Sequence, residues 1–136
     1  MEVGVFAFVQ NSEGKVLLGR DVTREQKWTL IGGGLEFQEI VTDAVKREVK
    51  EEAGVDVGVK QLSGVFSQIK SPGLVMLFDC SITSGTPVAD SKEMAELRYF
   101  SWDELESIRN QVKPAQFSMI RQRLSADHLP IFNTFI

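Results

Sequence analysis

Glu48, Glu51 and Glu52 place three carboxylates within five residues of one another, shortly after three glycines, Gly32 to Gly34. The stretch reads GGGLEFQEIVTDAVKREVKEEAGV, Gly32 to Val55. A helix advances about 100° per residue, so with Val41 at zero, Val45, Val49 and Ala44 fall at roughly 40°, 80° and 300°. Glu48, Glu52 and Glu51 then fall at roughly 340°, 20° and 280°, while Lys46 and Lys50 lie on the far side. Glu48 and Glu52 therefore share the apolar stripe. Like charges at these spacings weaken a helix, and turning them toward a covered face adds a desolvation cost. A hard divalent cation resolves both problems, because Mg²⁺ takes oxygen ligands from one or two carboxylates plus substrate phosphates. From these residues alone the alternative stays open: a solvated acidic face on which Arg47 neutralises Glu51 at i,i+4.

The elements that must position these carboxylates are legible in outline. Val3–Val9 reads as a buried strand, and Asn11-Ser12-Glu13-Gly14 as a turn into a returning strand, Lys15–Leu18. Arg20–Lys27 is polar and expected to be a loop. Trp28–Ile31 is a short apolar strand that leads into the glycines, which then form a turn. A helix is expected from Ile40 to Ala53, with Gly54 as its left-handed stop. Val55–Ile69 suggests one or two strands, and Ser71-Pro72-Gly73 a turn. Leu74–Thr83 alternates, with Leu74, Met76, Phe78, Cys80 and Ile82 as the expected core face, and cover over Val75 and Leu77 on the other face is left open. A loop over Gly85–Ala95 precedes a strand at Leu97–Phe100. Ser101 and Glu104 form a capping box for a helix to about Asn110. Pro114 opens a last helix, with Phe117, Ile120 and Leu124 at helical spacing. The apolar tail Ile131–Ile136 must dock on the domain or be covered by a second copy. The sum is one α/β domain, residues 1–136, built on a mixed sheet.

The glycines alone are weak evidence. No Gly-Lys-Ser/Thr follows them, and the G-x-G-x-x-G spacing fails, so neither a P-loop nor a dinucleotide fingerprint is present. Their value lies in fixed distances: Gly33, five residues, Glu39, seven residues, Arg47-Glu48, then Glu51-Glu52, Gly54 and Val55. This resembles the Nudix box, GX5EX7REUXEEXGU with U aliphatic, at every defined position from Gly33 to Val55. The flanking Trp28-Thr29-Leu30 strand and the Tyr99-Phe100-Ser101-Trp102-Asp103-Glu104-Leu105 run are also similar to the family. Ile31 stands where many members have proline, and Gln38 where many have glycine. Both departures bear on loop shape rather than on the carboxylates.

The resemblance implies a Nudix fold, an α/β/α sandwich with a mixed β-sheet and the box as loop–helix–loop. It implies a MutT-like hydrolase that cleaves a nucleoside diphosphate linked to another moiety, with Mg²⁺ or Mn²⁺. Carried onto this chain, Glu51 and Glu52 are the main metal ligands, and Glu48 is a further ligand or the general base. The Gly33 carbonyl ligates metal, Arg47 orients the glutamates, and Glu39 supports the loop or the outer ligand shell. The family often adds a later carboxylate, for which Glu93 is the first choice and Glu96 the second. A nucleoside triphosphate is the leading substrate expectation, with ADP-ribose and other nucleotide sugars next. A non-catalytic nucleotide-binding module is the alternative of a different class, against which the complete glutamate set argues.

Composition narrows the partners. Net charge is −4 with no basic run, which argues against a nucleic-acid polymer as ligand. The single cysteine, Cys80, permits no intrachain disulfide and reads as a small core residue. No apolar run is long enough to span a membrane, and the expected location is the cytoplasm. His128, Arg20 and Lys27 read as surface residues, and Trp28, Phe66 and Phe117 as core aromatics.

Overall fold

The structure is a computed structural model that describes residues 2–136. β1 (Glu2–Val9), β2 (Val16–Asp21) and β3 (Trp28–Gly34) come first, followed by α1 (Val41–Ala53). β4 (Asp56–Ser67), β5 (Gly73–Ser84) and β6 (Met94–Phe100) come next, then α2 (Trp102–Ser107), α3 (Pro114–Ser125) and β7 (Ile131–Phe135). Among the described residues the strands form one seven-stranded mixed sheet, ordered β6-β2-β3-β1-β5-β4-β7. β1 lies near its centre, antiparallel to β3 and parallel to β5.

The sheet is covered on both faces. Val5, Ala7 and Val9 of β1 pack with Ala44, Val45, Val49 and Ala53 of α1. Phe8 on the opposite face packs with Leu105 of α2 and Phe117, Met119 and Ile120 of α3. Strands buried on both faces read as continuous apolar runs rather than alternating ones. The result is the expected α/β/α sandwich. Trp28, Phe66 and Phe117 are buried in the second layer, and Cys80 lies in the first. Burial pushes the Cys80 thiol up to about 12.

Four local expectations are corrected. The three glycines do not turn; they continue β3, with Gly32, Gly33 and Gly34 opposite Phe6, Val5 and Gly4 of β1. None of the three has positive φ. A Cβ on Gly32 would lie 2.1 Å from the Val5 carbonyl oxygen, so close packing, not backbone freedom, requires glycine there. Arg20 and Asp21 belong to β2, because Glu96 and Met94 of β6 supply ladder partners. β5 is buried on both faces at its centre: Val75 and Leu77 join the α2/α3 layer, Phe78 and Cys80 the α1 layer, and Leu74 is over a third exposed. α2 stops at Ser107, and a 3-10 turn, Arg109–Gln111, completes the segment expected as helix.

The tail docks on its own domain as β7, parallel to β4, with Ile131 and Ile136 packed against the second layer. Phe132 and Phe135 stay exposed. In α3, Phe117 and Ile120 are buried while Leu124 sits at the exposed margin. The Ser101–Glu104 capping box forms, and Gly54 ends α1 at φ 72°. No described helix is long and apolar enough to cross a membrane.

Candidate metal-dependent active site

α1 carries the site because its apolar face is anchored on the sheet. Ala44, Val45, Val49 and Ala53 are fully buried, which fixes the helix rotation. Glu48 and Glu52 then point toward the sheet, at 7% and 0% exposure. Gly33 makes this approach sterically feasible: a Cβ there would lie 2.6 Å from the Glu48 carboxyl carbon.

Glu93 joins them from the segment before β6. One carboxylate oxygen from each of Glu48, Glu52 and Glu93 lies within 4.8 Å of the others. The segment is stitched to the end of α1 by two bonds, Val88 N–H to the Ala53 carbonyl and Asp90 N–H to the Glu52 carbonyl, at 3.0 and 3.2 Å. Asp90 Oδ1 accepts the backbone N–H groups of Lys92, Glu93 and Met94 at 3.2, 3.1 and 2.9 Å. Burial pushes the Asp90 carboxyl up, but these three bonds outweigh it and hold its pKa below the ordinary value.

Arg47 organises the remaining carboxylates. Its Nε donates to Glu39 Oε2 at 2.8 Å and its Nη2 to Glu39 Oε1 at 3.1 Å, a two-pronged pairing. Nη1 reaches Glu48 Oε1 at 2.9 Å and Glu51 Oε2 at 3.3 Å, and Nη2 also donates to the Gly34 carbonyl at 3.1 Å. One guanidinium thus ties the end of β3, the following loop and α1 together. The Arg47 bond lowers the pKa of Glu39, and Glu39 in turn raises that of Arg47.

Glu52 is the electrostatic anomaly. Both of its side-chain oxygens are buried without a hydrogen-bond partner. The Glu48 carboxylate adjoins it as acceptor facing acceptor, so proximity penalises charge instead of satisfying it. Burial first, then Glu48, then the charges of Glu93 and Asp90 push the Glu52 carboxyl well above the ordinary range. Burial, with Glu48, Asp90 and Glu51 nearby, also raises Glu93. An isolated buried carboxylate is strongly unfavourable. An all-oxygen donor set with two orphaned acceptors fits a hard divalent cation, which would satisfy those oxygens and offset the mutual repulsion.

The sequence-selected residues separate into three groups. Glu48, Glu52 and Glu93 come together, with Gly33 against Glu48. Glu51 lies outside this trio, half-exposed and linked to it through Arg47, as does Glu39. Glu96 is engaged elsewhere, 2.7 Å from Arg98 and 3.4 Å from Arg20 on the exposed sheet margin. One contributor escaped sequence reasoning: Asp90, although an Asp opening a polar turn is a recognisable turn former.

Residues 1–122 match the NUDIX domain family model. A putative 8-oxo-dGTP diphosphatase from Bacillus subtilis (strain 168) is 34% identical over 100 residues, 72% of this chain and 65% of that protein. The NAD-capped RNA hydrolase NudC of Salmonella heidelberg (strain SL476) is 36% identical over 96 residues, 68% of this chain and 37% of that protein. The matches thus span less than two thirds of the length of these relatives. Among solved structures, a NUDIX hydrolase from Nitrosomonas europaea superposes with a TM-score of 0.81 at 26% identity, over 99% of this chain and 77% of that one. With a family match across most of its length and the box residues carried by β3, the following loop and α1, the chain belongs to the NUDIX domain family.

Proposed function

We propose that this chain is a divalent-metal-dependent pyrophosphohydrolase that cleaves a nucleoside diphosphate linked to another moiety, with a nucleoside triphosphate as substrate. The observation that carries the reading is Glu52, whose two buried oxygens lack partners while Glu48 and Glu93 converge beside it. The Bacillus subtilis relative, named as a putative diphosphatase of a nucleoside triphosphate, supports that substrate class.

In this reading Glu48, Glu52 and Glu93 hold Mg²⁺ or Mn²⁺, with Glu51 and the Gly33 carbonyl completing the set. When bound, the cation supplies charge neutralisation to the diphosphate and lowers the pKa of the attacking water. Arg47 keeps Glu48 and Glu51 oriented and stops the loop from drifting off the helix. A glutamate of the set takes the proton from the attacking water, an effect worth typically ~10²–10⁴-fold. The buried setting of Glu52 leaves few competing hydrogen-bond donors around the acceptor oxygens.

The test is a substrate panel of nucleoside triphosphates, ADP-ribose, dinucleoside polyphosphates and sugar nucleotides, each with Mg²⁺ and with Mn²⁺. The expected result is metal-dependent release of a nucleoside monophosphate, fastest from a triphosphate. No turnover of any substrate alongside tight nucleotide binding would overturn the enzyme reading in favour of a binding module.

A further inference from the structure

One cavity, of about 450 Å³, is lined by Glu52 and Glu93 of the carboxylate cluster and also by Asp21, Lys92 and Lys113. The backbone places Lys113 there. Pro114 opens α3 and biases the residue before it to extended geometry, which Lys113 adopts at φ −57° and ψ 130°. The Lys113 N–H donates to the Trp28 carbonyl of β3 at 3.0 Å, which holds its Cα against the sheet. Its side chain then reaches the end of β2, where Nζ lies 3.0 Å from Asp21 Oδ2. Asp21 is only 5% exposed, and Thr23 Oγ1 donates to its Oδ1 at 2.6 Å. Asp21 Oδ2 is buried without a hydrogen-bond partner, so the ammonium meets it as a charge, off hydrogen-bond alignment.

Resting on the pyrophosphohydrolase reading, we propose that Lys113 is a substrate-binding residue that donates to a phosphate oxygen, and that Asp21 is the positioning residue that keeps its ammonium inside the cavity. Stability alone accounts poorly for the pair. Burying the Asp21 carboxylate is costly, and a partner that stays 43% exposed returns little of that cost. A free lysine side chain would carry its head out to water; the buried charge of Asp21 holds it back. An ammonium has three N–H donors, and the misaligned contact with Asp21 leaves them available to a phosphate. No side chain caps the N-terminus of α3 beside it, and the helix dipole there favours an anion. With a divalent cation at Glu52 and Glu93, the charge balance of the lining turns positive, which suits a phosphate chain lying between that cation and Lys113. The strand end that carries Asp21 is joined to the carboxylates directly, since the Val22 N–H donates to the Glu93 carbonyl at 3.0 Å.

The test compares unaltered protein, Lys113→Gln, Lys113→Arg and the double variant Asp21→Asn/Lys113→Gln on the preferred nucleoside triphosphate with Mg²⁺. Inorganic tripolyphosphate serves as a competitive inhibitor. Loss of one charge-assisted bond is expected to raise KM and the tripolyphosphate inhibition constant together, roughly tenfold, in Lys113→Gln. kcat and the rise in Tm given by Mg²⁺ stay unchanged, and Lys113→Arg recovers most of the loss. The double variant leaves no unpaired buried charge, so it keeps the fold, and it shows the same rise as Lys113→Gln and no more. An unchanged tripolyphosphate constant in the double variant, with normal turnover, would overturn this proposal alone and leave Lys113 as a counter-ion of Asp21. A further rise in KM from Lys113→Gln to the double variant would overturn the positioning role of Asp21, which acts only through Lys113. Absence of nucleotide turnover by the unaltered protein would overturn the underlying reading with it.

Discussion

Arg47 Nη1 lies 2.9 Å from Glu48 Oε1 while the same guanidinium grips Glu39 through two further nitrogens. α1 and the loop before it are therefore set by one planar, rigid group. Lysine offers the charge but not the fork. Arg47→Lys is expected to lower kcat about 10–100-fold, the usual scale for losing a ligand-orienting partner. Steady-state kinetics beside far-ultraviolet circular dichroism check this; a variant within twofold of the parent would deny Arg47 that role.

Gly33 and Gly34 are neighbours with opposite expectations. A Cβ on Gly33 would meet the Glu48 carboxyl at 2.6 Å, and Glu48 cannot simply swing away because Arg47 holds it. Gly33→Ala should therefore displace Glu48, costing about 1–3 kcal/mol of stability and most of the activity. Gly34→Ala meets no atom within 4 Å and should stay within about 0.5 kcal/mol of the parent. Urea denaturation of both variants separates the cases, and equal stabilities would contradict the packing account.

Much of this arrangement was legible before any coordinates. The box spacing located Glu48, Glu52 and Arg47, and the capping box and Gly54 stop set helix ends through purely local chemistry. The glycines were misread as a turn because the edge that extends β3 to Gly34 comes from β1, far away in sequence. On β5 the cover over Val75 and Leu77, which the alternation left open, comes from helices that follow much later, and Leu74, expected in the core, is over a third exposed. Gln38 is informative in reverse. It departs from the glycine common at that position, yet adopts φ 59°, the left-handed conformation that glycine favours. The resemblance named Glu93 first among the later carboxylates, and its approach to Glu52 depends on how Asp90 folds its own loop.

Away from the site, Asp79 and Arg123 clamp α3 to the sheet. Arg123 Nε and Nη2 donate to the two Asp79 oxygens at 2.9 and 2.8 Å, and Gln61 donates to Oδ2 at 2.8 Å. Burial pushes the Asp79 carboxyl up, but the hydrogen bonds of Arg123, Gln61 and Ser63 and the Arg123 charge together outweigh it and leave the pKa below its ordinary value. Its stabilisation is therefore complete above the unfolded carboxylate value, near 4, and is lost as pH falls through the lower folded value. Asp79→Asn should cost about 3 kcal/mol at pH 7, the low end for breaking a buried pair. Below pH ~4 the parent Tm should fall more steeply than the variant's, and parallel Tm curves across that window would contradict the assignment.

The central claim is that the carboxylates converging on Glu52 form a cation site that serves hydrolysis. Glu52→Gln keeps the shape and removes the charge. Rates and thermal melts of parent and variant, each with and without Mg²⁺, test it directly. The account predicts a fall in kcat of ~10²–10⁴-fold, because the variant cannot support the cation and its proton transfer. It also predicts that the metal-free variant is at least as stable as the parent, since an unpartnered buried acid has been neutralised. The rise in Tm that Mg²⁺ gives the parent should shrink or vanish in the variant. An unchanged rate, with the same Mg²⁺-induced rise in Tm, would contradict the account.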